Sequence, residues 1–255
     1  MPSEAARAPG AGLAVEWEAP ARVGAFMSTR AGGRSTGPWA GWNLGDHVGD
    51  DARTVAEHRA VFGRTIGARP VWLRQVHGAR VVDAAAIPES GTVQADAAWT
   101  AVAGVACTVQ VADCLPVLLA AGNGRAVGSA HAGWRGLAGG VVEAAVEAVA
   151  AAARCLPREL HAWLGPCIGP DQFEVGADVF EAFGGGAAFV PRQHPDGRPR
   201  WLADLPALAR ARLARIGVTR VSGGPWCTVG DVARFYSFRR DGVTGRMAAA
   251  IWLRD

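Results

Sequence analysis

The stretch GVACTVQVADCLPVLLAAGNGRAVGSAHA, residues 104–132, decides the fold. It contains three short apolar runs, GVACTVQV, LPVLLAA and RAVGSAHA, that follow one another almost without interruption. Runs of this length and hydrophobicity predict strands that are buried on both faces of a sheet. The apolar spacing from Leu137 to Ala153 then predicts one helix, with Glu143 and Glu147 on its polar side.

Strands and helices interleave on both sides of this stretch. Asp50 or Asp51 is expected to cap a helix that runs to about Ile66, and PVWLRQVHGARVVDA predicts two strand pieces with a turn at His77–Gly78. No repeat of 20 to 50 residues and no interdomain linker interrupts the pattern. We therefore predict a single mixed α/β domain over residues 13–255. The Ala/Gly/Pro-rich residues 1–12 are predicted to be a disordered tail.

The composition excludes several classes of protein. The chain has 255 residues, a net charge of +3 and no lysine, which excludes Schiff-base chemistry and a P-loop lysine. So small a net charge predicts no nucleic-acid partner. No run is long enough to span a membrane, and the N-terminus lacks the apolar region of a signal peptide. Five cysteines without a C-x-x-C pair indicate free thiols in a reducing compartment, so the predicted location is the cytoplasm.

Three residues point to a metal site. His77 in LRQVHG, Cys114 in ADCLP and His131 in SAHAGWRG come from separate segments, each at or near the end of an apolar run. One thiolate and two imidazoles suit a soft or borderline divalent ion. Three protein ligands leave a coordination position for water or substrate, as in catalytic metal sites. Taken singly, a buried cysteine or histidine is more often a packing residue.

Polar residues near these ligands are candidates for binding and catalysis. Asp113 precedes Cys114, and Gln75 lies two residues before His77. Arg135, at the start of the predicted long helix, could form an anion site with free backbone N–H groups; a surface salt bridge is an equal alternative. Arg239 in FYSFRRDG could hold an anionic or planar ligand, although a solvated turn explains it equally well.

Taken together, the motifs resemble a known family, the bacterial laccase-domain proteins, also called the polyphenol oxidase or YfiH family. The resemblance runs from about Val23 to the C-terminus and rests on STRAGGRSTGPWAGWNLGDHVGDD, LRQVHGARV, ADAAWT, ADCLPVLL, HAGWRGLAGGVV, GPCIGPDQFEVG and FYSFRRDGVTGRMAAAIWL. It implies a four-layer α/β/β/α fold with mixed sheets. One departure is Phe173, which stands where the family commonly has a tyrosine.

The resemblance also implies a function. It implies that His77, Cys114 and His131 hold zinc, and that the chain phosphorolyses adenosine, inosine, guanosine and methylthioadenosine and deaminates adenosine. On this interpretation Asp113 is the candidate proton shuttle, and Arg135 or Arg30 holds phosphate. Asn43, Gln75 and Arg239 are further expected substrate-binding residues. The expected partners are purine nucleosides and phosphate, and the expected assembly is a monomer or homodimer.

Alternative functions stay open at this point. The laccase label implies copper-dependent phenol oxidation, but six histidines without an H-x-H pair do not provide a multicopper centre. Copper would still bind a His₂Cys site tightly. A metal-free Cys–His hydrolase that edits peptidoglycan precursors would use Cys114 as nucleophile and His77 or His131 as base. A zinc-stabilised binding domain is the third hypothesis.

Overall fold

The computed structural model describes residues 12–194 and 196–255. The strands, in chain order, are β1 (Gly12–Leu13), β2 (Val23–Ser28), β3 (Arg69–Val71), β4 (Leu73–Arg74), β5 (Val81–Asp83), β6 (Val93–Gln94), β7 (Ala97–Thr100), β8 (Val105–Val111), β9 (Leu115–Ala121), β10 (Val127–Ala132), β11 (Leu160–Leu164), β12 (Glu174–Val175), β13 (Phe189–Arg192), β14 (Arg200–Ala203), β15 (Arg220–Gly223) and β16 (Met247–Leu253). The α-helices are α1 (Ala52–Ile66), α2 (Trp134–Ala138), α3 (Val141–Ala153), α4 (Ala177–Ala182), α5 (Leu205–Arg215) and α6 (Phe238–Asp241). Short 3₁₀ turns span Gly37–Trp39, Ala84–Ala86 and Pro157–Glu159.

Two mixed sheets form the centre of the molecule. One has five strands in the order β1-β2-β16-β8-β3, and the other has six in the order β15-β11-β9-β10-β7-β5. Each contains parallel and antiparallel pairs: β3 runs parallel to β8, and β15 runs parallel to β11. Smaller sheets are β12-β14-β13 and β4-β6. The predicted mixed α/β domain is therefore confirmed.

Among the described residues, the buried hydrophobic side chains form three clusters around these sheets. The first joins the two sheets face to face, as with Val109 of β8 and Leu118 of β9. The second packs α3 and α5 on the outer face of the six-stranded sheet. The third packs α1, through Phe62, against the outer face of the five-stranded sheet at Trp252. An α/β/β/α order of layers requires packing of this kind. The layer order itself stays a prediction.

The three strands of residues 104–132 have the predicted burial. Every residue of β8, β9 and β10 is buried, because the inner faces meet the other sheet and the outer faces meet helices. The helix α1 begins as predicted: the Asp51 carboxylate accepts a hydrogen bond from the Thr54 N–H at 2.8 Å.

One predicted helix is in fact two. The predicted segment Leu137–Ala153 divides at Gly139 and Gly140 into α2 and α3. Gly140 has φ 90°, a left-handed conformation that a side chain rarely adopts. The apolar spacing continues through the break, so it did not reveal the interruption. The predicted tail, residues 1–12, lies outside the described residues except for Gly12, which pairs with Ser28.

Candidate metal centre and active site

The register of two strands brings Cys114 and His131 together. In the antiparallel pair β9–β10, His131 lies opposite Pro116 and Ala132 lies opposite Leu115. Cys114 directly precedes β9, so its thiol lies beside the end of β10. The preceding residue, Asp113, has φ 93°. A left-handed conformation is costly for a residue with a side chain, and such strain is common at functional sites.

His77 completes the group from a separate loop. Its Nε2 lies 3.7 Å from the Cys114 Sγ, and its ring centroid lies 4.9 Å from that of His131. One ligand atom from each of the three residues lies within 4.8 Å of the other two. In the part of the chain that the structure describes, this is the one group of three such side chains compact enough to hold a metal ion. The three predicted ligands therefore form a candidate metal centre.

A buried carboxylate, Asp96, holds this group in place. It is fully buried and accepts hydrogen bonds from the backbone N–H groups of His77 and Gly78, both at 2.8 Å. The Val76 N–H lies 3.2 Å from both carboxylate oxygens. The His131 Nδ1 lies 2.9 Å from Oδ1. Asp96 thus fixes the His77 loop and orients the His131 ring, leaving its Nε2 for a metal.

Asp96 was not among the predicted site residues. Its segment, ADAAWT, stands out in the sequence only through the family resemblance. The signal that could have found Asp96 is its position directly before an apolar strand, because a carboxylate is rarely buried without partners.

The charges of the three ionisable groups are strongly linked. Burial alone raises the pKa of the Cys114 thiol, but the charge and hydrogen bond of His131, with those of His77, outweigh it and lower the pKa to about 6. Burial lowers the pKa of His131, and Cys114 and Asp96 outweigh it and raise the pKa to about 9. Burial raises the pKa of Asp96, but the His131 and backbone hydrogen bonds lower it overall. Without metal, the group therefore favours a thiolate–imidazolium pair.

The close packing of the site requires a glycine. A Cβ atom on Gly133 would lie 2.8 Å from the Cys114 Sγ and 2.9 Å from the His77 Cδ2. Real Cβ atoms essentially never approach so closely, so any side chain here would displace two of the three candidate ligands.

The candidate metal centre lies in the wall of a cavity of about 360 Å³. The lining residues are His47, Gln75, His77, Gln110, Ala112, Asp113, Cys114, His131, Gly133, Trp134, Ile168, Phe173, Leu205, Phe238, Arg239 and Arg246. Three aromatic rings and two arginines thus share one space with the three candidate ligands. The cavity is of a size and polarity common for small-molecule sites.

Three of the predicted residues line this cavity beside the ligands. The Asp113 carboxylate accepts hydrogen bonds from the Thr228 Oγ1 at 2.5 Å and the Arg239 N–H at 2.6 Å. The Arg239 Nη1 donates to the Glu174 carbonyl at 3.1 Å. The Gln75 side chain both donates to and accepts from the Gln110 backbone, at 2.8 and 2.7 Å.

Three other predicted residues do not line the cavity. Arg135 is exposed, and its guanidinium lies over the Trp134 ring at 4.3 Å, because the buried side of the short helix α2 is formed by Gly136 and Leu137. Arg30 donates to the carbonyls of Val232 and Ala40 and lies over the Tyr236 ring. Asn43 is fully buried and binds loop backbone. Arg135 and Arg30 thus lie outside this cavity, and the phosphate-binding role of either arginine stays a prediction.

Arg246 is a cavity residue that sequence analysis missed. Its Nη1 donates to the carbonyls of Thr244 and Gly245, both at 3.1 Å, and its guanidinium lies 5.8 Å from the centre of the Phe238 ring. Burial lowers the pKa of Arg246, and the negative charges of Cys114 and Asp113 oppose that effect. A partly desolvated guanidinium of this kind is stabilised by a bound anion.

Known proteins resemble this chain over nearly its whole length. The family model described as multi-copper polyphenol oxidoreductase laccase matches residues 24–254. The chain belongs to this family. Within the laccase family, the chain is 49% identical to purine nucleoside phosphorylase PA4543 of Pseudomonas aeruginosa, over 95% of this chain and 98% of that protein. It is 45% identical to purine nucleoside phosphorylase YfiH of Escherichia coli, over 93% of this chain and 97% of that protein.

Solved structures of similar proteins share the fold. The Neisseria meningitidis protein NMB0706 superposes with a TM-score of 0.88 at 44% identity, covering 96% of this chain and 99% of that one. YlmD from Geobacillus stearothermophilus superposes with a TM-score of 0.83 at 32% identity, covering 92% and 93% of the two chains. The described residues of our chain include no helix long and apolar enough to cross a membrane.

Proposed function

We propose that the protein is a zinc-dependent purine nucleoside phosphorylase that accepts adenosine, inosine, guanosine and methylthioadenosine and also deaminates adenosine. The observation that carries the proposal is the shared cavity, in which three metal-binding side chains, two arginines and three aromatic rings meet. The names of the relatives, at 41 to 49% identity over almost their full length, support the same reaction.

The donor set fits zinc. One thiolate and two imidazoles are common zinc ligands, and three protein ligands leave a position for water or substrate. His77, Cys114 and His131 would hold the ion, and Asp96 would fix the tautomer and direction of His131. When bound, the ion would supply a Lewis acid and a bound water that is more acidic than bulk water. Copper would bind the same donors, so copper in a purified sample would not establish oxidase activity.

The remaining cavity residues have separate roles in phosphorolysis. Arg239 and Arg246 bind the phosphate that attacks C1′ of the ribose. Trp134, Phe173 and Phe238 pack against the planar base, as aromatic rings commonly do. Asp113, fixed by hydrogen bonds at both oxygens, accepts a hydrogen bond or a proton from the substrate.

A direct assay tests the proposal. The purified protein, with its metal content quantified, is incubated with each nucleoside, with and without phosphate. We expect release of the free base that depends on phosphate, and inosine from adenosine. Both should be lost in Cys114→Ala, while Cys155→Ala, whose thiol lies outside the cavity, should keep wild-type rates. If Cys114→Ala lacks metal but retains phosphorolysis, the metal does not serve that reaction.

A second candidate function is a metal-free cysteine hydrolase acting on an amide or ester, such as a peptidoglycan precursor. The observation in its favour is the Cys114 thiol beside His131, whose other ring nitrogen meets Asp96, an arrangement of the Cys–His–carboxylate type. Loss of activity on alkylation, together with full activity in excess chelator, would favour the hydrolase. Loss of activity in chelator that zinc restores would favour the phosphorylase.

A further inference from the structure

His47 lines the cavity near the end of a glycine-rich segment. None of the roles proposed for the other cavity residues involves it. Its side chain is more than half exposed, so it does not serve packing. In the part of the chain that the structure describes, it is the cavity histidine that is not in the candidate metal group. A histidine at the edge of a reaction space can carry a proton between solvent and substrate.

The backbone around His47 is fixed. Before it, the Asn43 side chain bonds both the N–H and the carbonyl of Gly45, at 2.9 and 3.1 Å. After it, the Val48 carbonyl accepts a hydrogen bond from the Trp39 indole at 3.0 Å. Anchors on both sides restrict where His47 can point.

The ring of His47 is also held by a carboxylate. Its Nδ1 lies 3.3 Å from the Asp46 Oδ1, and the Asp46 Oδ2 accepts a hydrogen bond from the Arg59 Nη1 at 2.9 Å. Arg59 is in turn bonded to the Leu44 carbonyl at 2.9 Å and lies over the Trp72 ring at 4.3 Å. The hydrogen bond from His47 is the largest cause that lowers the pKa of Asp46, to about 2. Asp46 is therefore an anionic partner that orients the imidazole and leaves Nε2 for the cavity.

His47 lies close to the proposed phosphate site. A Cβ atom on Gly45 would lie 2.8 Å from the Arg246 Cγ, and the Asn43 Oδ1 that accepts from the Gly45 N–H also accepts from the Arg246 N–H at 2.8 Å. The loop of His47 and the segment of Arg246 thus form one hydrogen-bonded unit. His47 and Arg246 therefore line one cavity from a single hydrogen-bonded unit.

We propose that His47, oriented by Asp46, is the general acid that protonates the departing purine. The inference rests on the proposed phosphorylase function. In this step a phosphate oxygen bonds to C1′ and the C1′–N9 bond breaks, with its electron pair passing to the purine. N7 of the purine takes the proton from the His47 Nε2. The neutral imidazole then regains a proton from solvent, while the attacking hydrogen phosphate releases its proton, so the overall charge balances.

The test compares guanosine with 7-methylguanosine, each with inorganic phosphate. The methylated base already carries the positive charge that protonation would supply, so its departure needs no acid. In His47→Gln we expect kcat for guanosine to fall about 100-fold or more, while kcat for 7-methylguanosine stays near the wild-type value. Asp46→Asn, which changes a positioning residue, should show a smaller loss with the same selectivity. His194→Gln, a substitution outside the cavity, is the matched control and should behave as wild type.

A second series covers the case in which the wild-type enzyme rejects 7-methylguanosine. Purine ribosides whose bases differ in acidity should show a steeper dependence of kcat on leaving-group acidity in His47→Gln than in wild type. Equal losses on all substrates, or no loss, would overturn the role of His47 while leaving the phosphorylase intact. A wild-type protein that is inactive on every purine nucleoside would refute the proposed function itself.

Discussion

Asp96→Asn is the substitution that most directly tests how the candidate metal centre is held. In either orientation of the new amide, its NH₂ group faces at least one N–H group that now donates to the carboxylate. A buried donor left without an acceptor costs about 1–3 kcal/mol. With at least one such donor affected, we expect the free energy of unfolding of the metal-free protein to fall by about 1–3 kcal/mol or more.

The same substitution should weaken metal binding. Loss of the partner of a ligating histidine typically lowers metal affinity about 10- to 100-fold, because the His131 ring is no longer held in one tautomer and direction. Urea unfolding of the metal-free protein measures the first effect, and zinc competition with a chromophoric chelator measures the second. Asp83→Asn is the matched control, since Asp83 accepts one capping hydrogen bond from the Ala85 N–H and does not line the cavity. An Asp96→Asn protein with wild-type stability and wild-type zinc affinity would refute the reasoning.

Three further predictions concern the same cavity. Gly133→Ala should keep the fold but lower zinc affinity about tenfold or more, since its methyl group would contact Cys114 and His77. Circular dichroism checks the fold and the chelator competition measures zinc affinity. An unchanged zinc affinity would contradict this prediction. Arg246→Met should raise KM for phosphate about tenfold or more, because a charge-assisted contact is lost, and should raise KM for the nucleoside less. Steady-state kinetics with each substrate varied in turn measure both constants. A larger rise in KM for the nucleoside would indicate that Arg246 contacts the base instead. In the metal-stripped protein, Cys114 should react with iodoacetamide at a rate that rises through about pH 6, where its thiolate forms. Cys155, whose pKa is raised by burial, should react with iodoacetamide more slowly than Cys114 at pH 7. Equal alkylation rates of the two cysteines, measured by mass spectrometry, would contradict the lowered pKa of Cys114.

The ligand trio could be predicted from the sequence because each member has a local signal. His77 lies in a turn between strand pieces, and Cys114 and His131 lie at the ends of buried apolar strands. Strand ends that follow one another along the chain often meet at one edge of a sheet, so residue type and position sufficed. The chemistry of one thiolate and two imidazoles then favoured a metal.

The direction of the Arg135 side chain could not be predicted in the same way. Its position near the start of a helical pattern is correct, but the helix ends after Ala138, and the arginine lies on the exposed side of that short helix. The direction of a side chain on a short helix depends on which neighbour packs into the core, and here that neighbour is Leu137. The spacing of residues in the sequence alone does not predict which side chain of the helix packs inward.

Local sequence by itself determined the buried strands of residues 104–132, the start of α1, the mixed α/β class and the identity of the candidate ligands, because hydrophobic periodicity and residue chemistry act over a few residues. Only the tertiary structure decided which polar groups surround the ligands. Asp96 joins the His77 loop to His131, and Asn43 joins the loop of His47 to Arg246, although these segments lie far apart in the chain. Those long-range contacts depend on the packing of the whole domain, and a short sequence motif does not predict that packing.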